Sequence, residues 1–240
     1  YRDRIWDAEV EETALGTTIT FGLHSPDGDQ GYPGNADITV SYTLTPDNCL
    51  KLDYHMVSDA DTIANFTNHV YFNLGGYKSG SALDQKVWID ADYFTATDAN
   101  SIPTGELVAV KGTPMDFTEM KPIGRDIQED YQALKYGNGY DHNWALNHPA
   151  GELSLSAKAE DEKTGRTMEV YTDLPGVQFY TANSLKTERG KNHAVYTPRC
   201  GYCFETQYFP DAINKPEFAS PVIKAGEEYK TTTIYKFGVK

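Results

Sequence analysis

The sequence is poor in cysteine, in basic side chains and in long apolar runs. Its 240 residues include three cysteines, and 35 acidic against 21 basic side chains give a formal net charge of -14. The acidic residues are spread along the chain and no basic patch is present, which argues against nucleic acid and against substrates held through several phosphates. No apolar stretch approaches the length of a membrane-spanning helix, so we expect no membrane partner.

The three cysteines are too few and too unevenly spaced for a disulfide framework. This usage favours a reducing compartment, and we predict a cytoplasmic protein. Cys200 and Cys203 form a C-x-x-C pair. A structural zinc site needs four ligands, and no second pair or His-x-His run supplies the other two. We therefore do not expect this pair to bind a metal.

Apolar and polar residues alternate with a period of two along most of the chain, which predicts an all-β protein. Helical periodicity is scarce: residues 127–134 predict a short helix, and residues 211–214 predict at most a turn. Thr45-Pro46-Asp47-Asn48 has the chemistry of a tight turn between two antiparallel strands. The predicted strands lie at residues 19–23, 38–44, 50–56, 68–76, 87–89, 107–110, 153–157, 168–171, 177–180, 202–209 and 232–237.

Short strands separated by Gly, Pro, Asn and Asp indicate a sandwich or a barrel. Residues 92–126 carry three prolines and are predicted to be mainly a long connection. Strand patterns resume on both sides of it without a flexible linker, so we predict a single domain over residues 1–240. The acidic residues 160–163 are predicted to form a solvent-exposed hairpin tip.

Four segments combine an apolar face with a polar face that carries no lysine or arginine. They cover residues 68–76, 139–146, 175–183 and 200–209. In the first, Val70, Phe72 and Leu74 alternate as an apolar row. If the four strands share one sheet, their polar faces line a shallow groove that holds His69, Asp141, Gln178 and Glu205. Carboxylates, amides and nearby aromatic rings suit a carbohydrate ligand, and histidine with glutamate makes an acid/base pair.

Each of these residues also has a structural explanation. A histidine in a strand is commonly a packing residue, and Asp141 can form an Asx turn before His142. Gln178 alone carries little information. Glu205 is the strongest candidate, because a carboxylate in the middle of an apolar strand is costly to desolvate.

The same four segments resemble the aldose 1-epimerases, also called galactose mutarotases. The matching blocks are "TNHVYFNLGG", "GNGYDHNWAL", "LPGVQFYTAN" and "RCGYCFETQYFPDAIN", and "AGEEYKTTTIYKF" resembles the closing strand of that family. The resemblance covers essentially the whole chain in the right order. It implies an antiparallel β-supersandwich of the galactose mutarotase type with few short helices. It also implies a cofactor-free reaction that interconverts the α and β anomers of hexoses such as galactose and glucose.

By this resemblance, His69 is the general acid and Glu205 the general base, while Asp141 and Gln178 bind sugar hydroxyls. The arginine of the family's N-R-I motif and the histidine of its H-G-G motif have no counterpart here. We therefore expect a separate N-terminal segment to complete the fold and the site; the alternative is a truncated relative of the family. Two alternative functions remain: a noncatalytic carbohydrate-binding protein, and an epimerase that acts on hexose 6-phosphates and needs cationic residues around the groove.

Overall fold

The computed structural model describes residue 1 and residues 3–240. Within them, short strands dominate and one six-residue α-helix is present, and no helix has the length and apolar character needed to cross a bilayer. Three short 3-10 turns cover Asp29–Gly31, Lys191–His193 and Ala212–Asn214. The elements are β1 (Asp7–Thr13), β2 (Gly16–Ser25), β3 (Ala36–Leu44), β4 (Cys49–Ser58), β5 (Thr62–Ile63), β6 (Lys86–Ile89), β7 (Tyr93–Thr97), β8 (Pro103–Ala109), β9 (Lys121–Pro122), α1 (Gln132–Gly137), β10 (Asp141–Ala145), β11 (Ser154–Glu160), β12 (Arg166–Thr172), β13 (Gly176–Tyr180), β14 (Glu188–Arg189), β15 (Val195–Tyr196), β16 (Cys203–Gln207), β17 (Val222–Ile223) and β18 (Glu228–Val239).

Two antiparallel sheets form the sandwich. The larger has nine strands in the order β1-β2-β3-β4-β18-β12-β11-β6-β9, and the smaller has five in the order β16-β13-β10-β7-β8. Every strand pair in both sheets is antiparallel. The prediction of an all-β antiparallel fold is therefore confirmed.

The core fills the space between the two sheets. Val170 of the large sheet and Phe179 of the small sheet are fully buried members of one continuous cluster. The ring of Phe179 lies 5.2 Å from that of Phe204 and 6.0 Å from that of Trp144. Burying each such side chain contributes about 1.5–3 kcal/mol. Because one face of β10, β13 and β16 is committed to this core, their other face is the one that remains for ligands.

Most of the strands predicted from period-two alternation are present. The predicted hairpin is confirmed: β3 pairs with β4 from Ala36–Ser58 to Leu44–Leu50. In its turn, the Thr45 N–H donates to the Cys49 carbonyl at 2.9 Å, and Asn48 takes a positive φ of 65°. The predicted hairpin at residues 160–163 is present, because residues 161–165 connect the paired strands β11 and β12. Its predicted exposure holds for Glu162 and Lys163 only, since Asp161 is 4% exposed and accepts a hydrogen bond from the Thr164 hydroxyl.

The prediction of a strand over residues 68–76 is wrong. The segment makes one isolated bridge, in which Phe72 and Tyr202 exchange N–H···O bonds of 2.8 and 3.0 Å. Val70 is 38% exposed, so it is not part of an apolar row. The side chain of Asn73 ends the extended run, since its amide donates to the Cys200 carbonyl and its oxygen accepts from the Gly75 N–H. Asparagine often competes with ladder bonding in this way.

Two further predictions differ from the structure, and the edge strand β1 was not predicted. The α-helix spans Gln132–Gly137 instead of residues 127–134. Ile127 and Leu134 are both 3% exposed. They are therefore spaced as core residues of a segment that consists mainly of turns, and their spacing does not indicate one continuous helix. The connection over residues 92–126 contains β7, β8 and β9. Strand β1 was not predicted because it is a mostly exposed edge strand with four acidic residues and no apolar row.

Candidate active site

Six side chains of the small sheet form a grid on its outer face. Glu205 of β16 lies opposite Gln178 of β13, which lies opposite Asn143 of β10. One step along, Cys203 lies opposite Tyr180, which lies opposite Asp141. Directly paired residues, and residues two apart on a strand, point to the same face of a sheet. The register therefore places the predicted residues Asp141, Gln178 and Glu205 on one surface.

His69 reaches this surface from outside the sheet. The Phe72–Tyr202 bridge holds its segment beside the start of β16. Nε2 of His69 lies 3.3 Å from Oε1 of Glu205, with side chains that are 52% and 13% exposed. Nε2 of Gln178 donates to Oδ1 of Asp141 at 2.9 Å. The structure thus brings together all four residues that the sequence indicated.

The two carboxyl groups of the site are desolvated. Burial, and then the negative charge of Asp141, raise the pKa of Glu205 from its usual 4.5 to about 7. Burial also raises the pKa of Asp141, and the hydrogen bond from Gln178 and the charge of His69 offset part of that rise. A carboxyl group with a pKa near neutrality is well suited to general base catalysis.

Two tyrosines flank His69 and were not among the predicted site residues. The ring of His69 lies 5.0 Å from that of Tyr71 and 5.6 Å from that of Tyr180. Burial raises the pKa of Tyr71 to about 12, so its phenol stays neutral. The sequence carried a signal for both, because Tyr71 shares the parity of His69 and Tyr180 shares that of Gln178.

Some polar side-chain atoms of the grid have no hydrogen-bond partner. Among the described residues, Oε1 of Gln178 and both amide atoms of Asn143 are buried without a protein partner. A buried polar atom without a partner costs about 1–3 kcal/mol. None of these atoms reaches the solvent in this conformation, so a polar ligand meets the Gln178 oxygen only after its amide turns.

Cys203 belongs to this grid and not to a pair with Cys200. Its Sγ lies 3.3 Å from Nδ1 of His69. The ligand atoms of His69, Cys203 and Glu205 all lie within 4.8 Å of one another. The sequence could not show this grouping, because 134 residues separate His69 from Cys203.

The raised pKa of Glu205 predicts a pH-dependent gain in stability for Glu205→Gln. A carboxyl group whose folded pKa lies above its unfolded value destabilises the fold as pH rises between the two. The gain should be near zero below pH 4.5 and reach up to about 3 kcal/mol above pH 7, since each pKa unit corresponds to about 1.4 kcal/mol. Denaturant unfolding at pH 4.5 and pH 8 measures it.

Glu152→Gln is the matched control, because Glu152 is exposed in the turn before β11. Its free energy of unfolding should differ little from that of the unmodified chain at either pH. An equal effect of Glu205→Gln at the two pH values would show that Glu205 is not held in its neutral form by burial.

Comparison with known proteins is consistent with the geometry. A family model described as aldose 1-epimerase matches residues 1–236. The chain belongs to the aldose 1-epimerase family. Its antiparallel sandwich is also that of the family: a solved galactose 1-epimerase from Lactobacillus acidophilus superposes with a TM-score of 0.86 at 29% identity, covering 98% of this chain and 67% of that one.

Curated members of the aldose 1-epimerase family match over most of the chain. Galactose mutarotase from Homo sapiens is 41% identical over 236 residues, which cover 98% of this chain and 66% of that protein. Aldose 1-epimerase from Haemophilus influenzae is 38% identical, covering 91% of this chain and 64% of that protein. The chain thus spans about two thirds of the length of these relatives.

Proposed function

We propose that this chain is a mutarotase, an isomerase that interconverts the α and β anomers of hexoses such as galactose and glucose without a cofactor. The contact between His69 and a desolvated Glu205 carries the proposal, since it places a proton donor beside an acceptor whose pKa is about 7. Family membership and the names of the curated relatives support it.

The reaction needs two proton transfers and no other reagent. Glu205 takes the proton of the C1 hydroxyl while His69 gives a proton to the ring oxygen, and the bond between C1 and the ring oxygen breaks. The resulting C1 carbonyl turns about the C1–C2 bond. The C5 hydroxyl then attacks the other face, returning its proton to His69, while Glu205 protonates the former carbonyl oxygen. Each residue ends in its starting protonation state.

Acid and base lie side by side in this site. The reacting oxygens explain the arrangement, because the C1 hydroxyl and the ring oxygen are both bonded to C1. Two adjacent groups can therefore reach both oxygens. In this proposal the sugar replaces the direct 3.3 Å contact, and the half-exposed imidazole of His69 has room to turn.

The remaining side chains of the grid bind the sugar in this proposal. Asp141 accepts hydrogen bonds from hydroxyls, and Gln178 offers its unpartnered Oε1. The rings of Tyr71 and Tyr180 pack against the C–H faces of the pyranose. Positioning of this kind lowers the barrier, because it holds C1 and the ring oxygen against the two proton-transfer groups.

The alternatives fit the site less well. A noncatalytic carbohydrate-binding protein has no need to desolvate a carboxyl group beside an imidazole. An epimerase for hexose 6-phosphates needs cations, but within residues 1 and 3–240 no lysine or arginine is among the groups that shift the pKa of Asp141 or Glu205. A single domain over residues 1–240, a separate N-terminal segment and a cytoplasmic location stay predictions.

Polarimetry tests the proposal. The optical rotation of fresh α-D-galactose and α-D-glucose should approach equilibrium faster with the chain than without it, in proportion to enzyme concentration. Methyl α-D-galactoside, which has no hemiacetal hydroxyl, should inhibit without reacting. Saturable sugar binding by calorimetry without any rate increase would identify a binding protein, and acceleration confined to hexose 6-phosphates would identify the other epimerase.

The catalysed rate should depend on the ionisation of Glu205. Because the base must be deprotonated and its pKa is about 7, kcat/KM should fall by up to about tenfold per pH unit below pH 7. Initial rates between pH 5 and pH 8, corrected for the spontaneous and buffer-catalysed reaction, measure the profile. A flat profile over this range would contradict the assignment of Glu205 as the base.

A further inference from the structure

Three potential metal ligands of different chemistry converge on the candidate active site. Cys203 and Glu205 are two apart on β16, so their side chains point to the same face. His69 lies above both: its Nδ1 is 3.3 Å from Sγ of Cys203 and its Nε2 is 3.3 Å from Oε1 of Glu205. The three ligand atoms lie within 4.8 Å of one another.

This set matches the coordination chemistry of zinc. Zn²⁺ binds thiolate at about 2.3 Å and imidazole or carboxylate at about 2.0–2.2 Å, so the ligand atoms of a tetrahedral site lie about 3.5 Å apart. Each of the two 3.3 Å contacts is close to this value, but they involve different nitrogens of the His69 ring, and one ion binds one of them. With one nitrogen chosen, the three ligand atoms lie within 4.8 Å of one another, so the half-exposed ring has to rotate to close the remaining separation.

We propose that His69, Cys203 and Glu205 form a binding site for Zn²⁺ whose fourth position opens to the sugar groove. The charges around the site favour a cation, because the carboxyl of Asp141 lies near enough to raise the pKa of Glu205. Entry is open through the exposed edge of His69.

Binding is a ligand exchange without redox change. The Cys203 thiol loses its proton to water as the Zn–S bond forms. Burial raises the pKa of this thiol, a cost that the bonds from the ion to His69 and Glu205 offset. The bound ion occupies both proton-transfer groups, so Zn²⁺ inhibits mutarotation in competition with sugar. The inhibition rests on the proposed function, whereas binding does not.

The other cysteine of the C-x-x-C pair, Cys200, offers a matched control. Cys200 is partly exposed and lies outside the ligand cluster, with its carbonyl bonded to the Asn73 amide. A zinc site built on the C-x-x-C pair needs Cys200, whereas the site proposed here does not. Cys200→Ser and Cys203→Ser therefore separate the two arrangements.

Co²⁺ is the spectroscopic probe, because a cobalt–thiolate bond gives a charge-transfer band in the near ultraviolet and tetrahedral Co²⁺ gives strong visible bands. When the unmodified chain and Cys200→Ser are titrated with Co²⁺, the bands should grow until one Co²⁺ is bound per chain. Added Zn²⁺ should displace the cobalt and remove the bands. Cys203→Ser should lose the charge-transfer band. If Cys203→Ser does not fold, His69→Gln serves instead and should weaken Co²⁺ binding at least tenfold.

Bands absent from the unmodified chain up to millimolar Co²⁺, or lost in Cys200→Ser and kept in Cys203→Ser, would overturn the site. In polarimetry, Zn²⁺ should inhibit reversibly, with chelator restoring the rate and higher sugar raising the inhibitory concentration. Cys203→Ser should need at least ten times more Zn²⁺ than the unmodified chain for the same fractional loss of its own zinc-free rate. Cobalt bands without mutarotation would support the metal site and reject only the proposed function.

Discussion

Glu205→Gln is expected to lower the rate of mutarotation by about 100-fold to 10,000-fold. The amide keeps the shape of the carboxyl group but cannot take the C1 hydroxyl proton, and a positioned proton transfer contributes a factor of this size. The loss should fall on kcat with little change in KM, because the lost interaction belongs to the transition state. Polarimetry with α-D-galactose over a range of concentrations separates the two constants.

The controls make this result specific. Glu152→Gln makes the same chemical change at an exposed turn and should retain the full rate. Glu205→Gln should also be more stable than the unmodified chain at pH 8, because burial holds the pKa of Glu205 at about 7. Loss of rate with this gain in stability shows that the rate was not lost through unfolding. A rate within a few-fold of the unmodified chain would remove Glu205 from the mechanism.

His69→Asn is expected to lower the rate by about 100-fold or more, since the variant loses the positioned imidazole that protonates the ring oxygen. The fold should change little, because the His69 side chain is 52% exposed and its segment is held by the backbone bridge at Phe72. Mutarotation by polarimetry and unfolding by denaturant should be measured on the same preparation.

His24→Asn is the matched control for this variant. His24 is also an exposed histidine beside a carboxylate, since its Nδ1 lies 2.8 Å from Oδ1 of Asp37. Both residues belong to the large sheet, whereas the site lies on the small sheet. It should keep the full rate. If His69→Asn instead lowered stability and left the rate unchanged, the histidine would be a structural residue.

The sequence predicted those parts of the fold in which one sheet face is buried. Residues 38–44 and 50–56 alternate because β3 and β4 pack one face into the core, so their pattern and their turn agreed. The exposed edge strand β1 left no such pattern. The strand expected over residues 68–76 failed because Asn73 bonds to nearby backbone and ends the extended run, a competition that alternation does not reveal.

The sequence also predicted those parts of the site that depend on which face of a strand a side chain occupies. Parity placed Asp141, Gln178 and Glu205 on the polar faces of strands, and the sheet register then aligned them. Direct contact between His69 and Glu205, and the position of Cys203 beside them, depend on a bridge between distant parts of the chain. Period-two patterns carry no information about such contacts.

The two proton-transfer groups sit on different kinds of backbone. Glu205 is carried by β16, the edge strand of the small sheet, which pairs with β13 along its whole length, whereas His69 lies in a segment without regular strand pairing. That segment is anchored in another way, because Phe72 and Leu74 are buried in the core and the Asn73 amide donates to the Cys200 carbonyl. A protein engineer who varies the acid should therefore keep these three anchors, since they set where the imidazole stands relative to the carboxyl group.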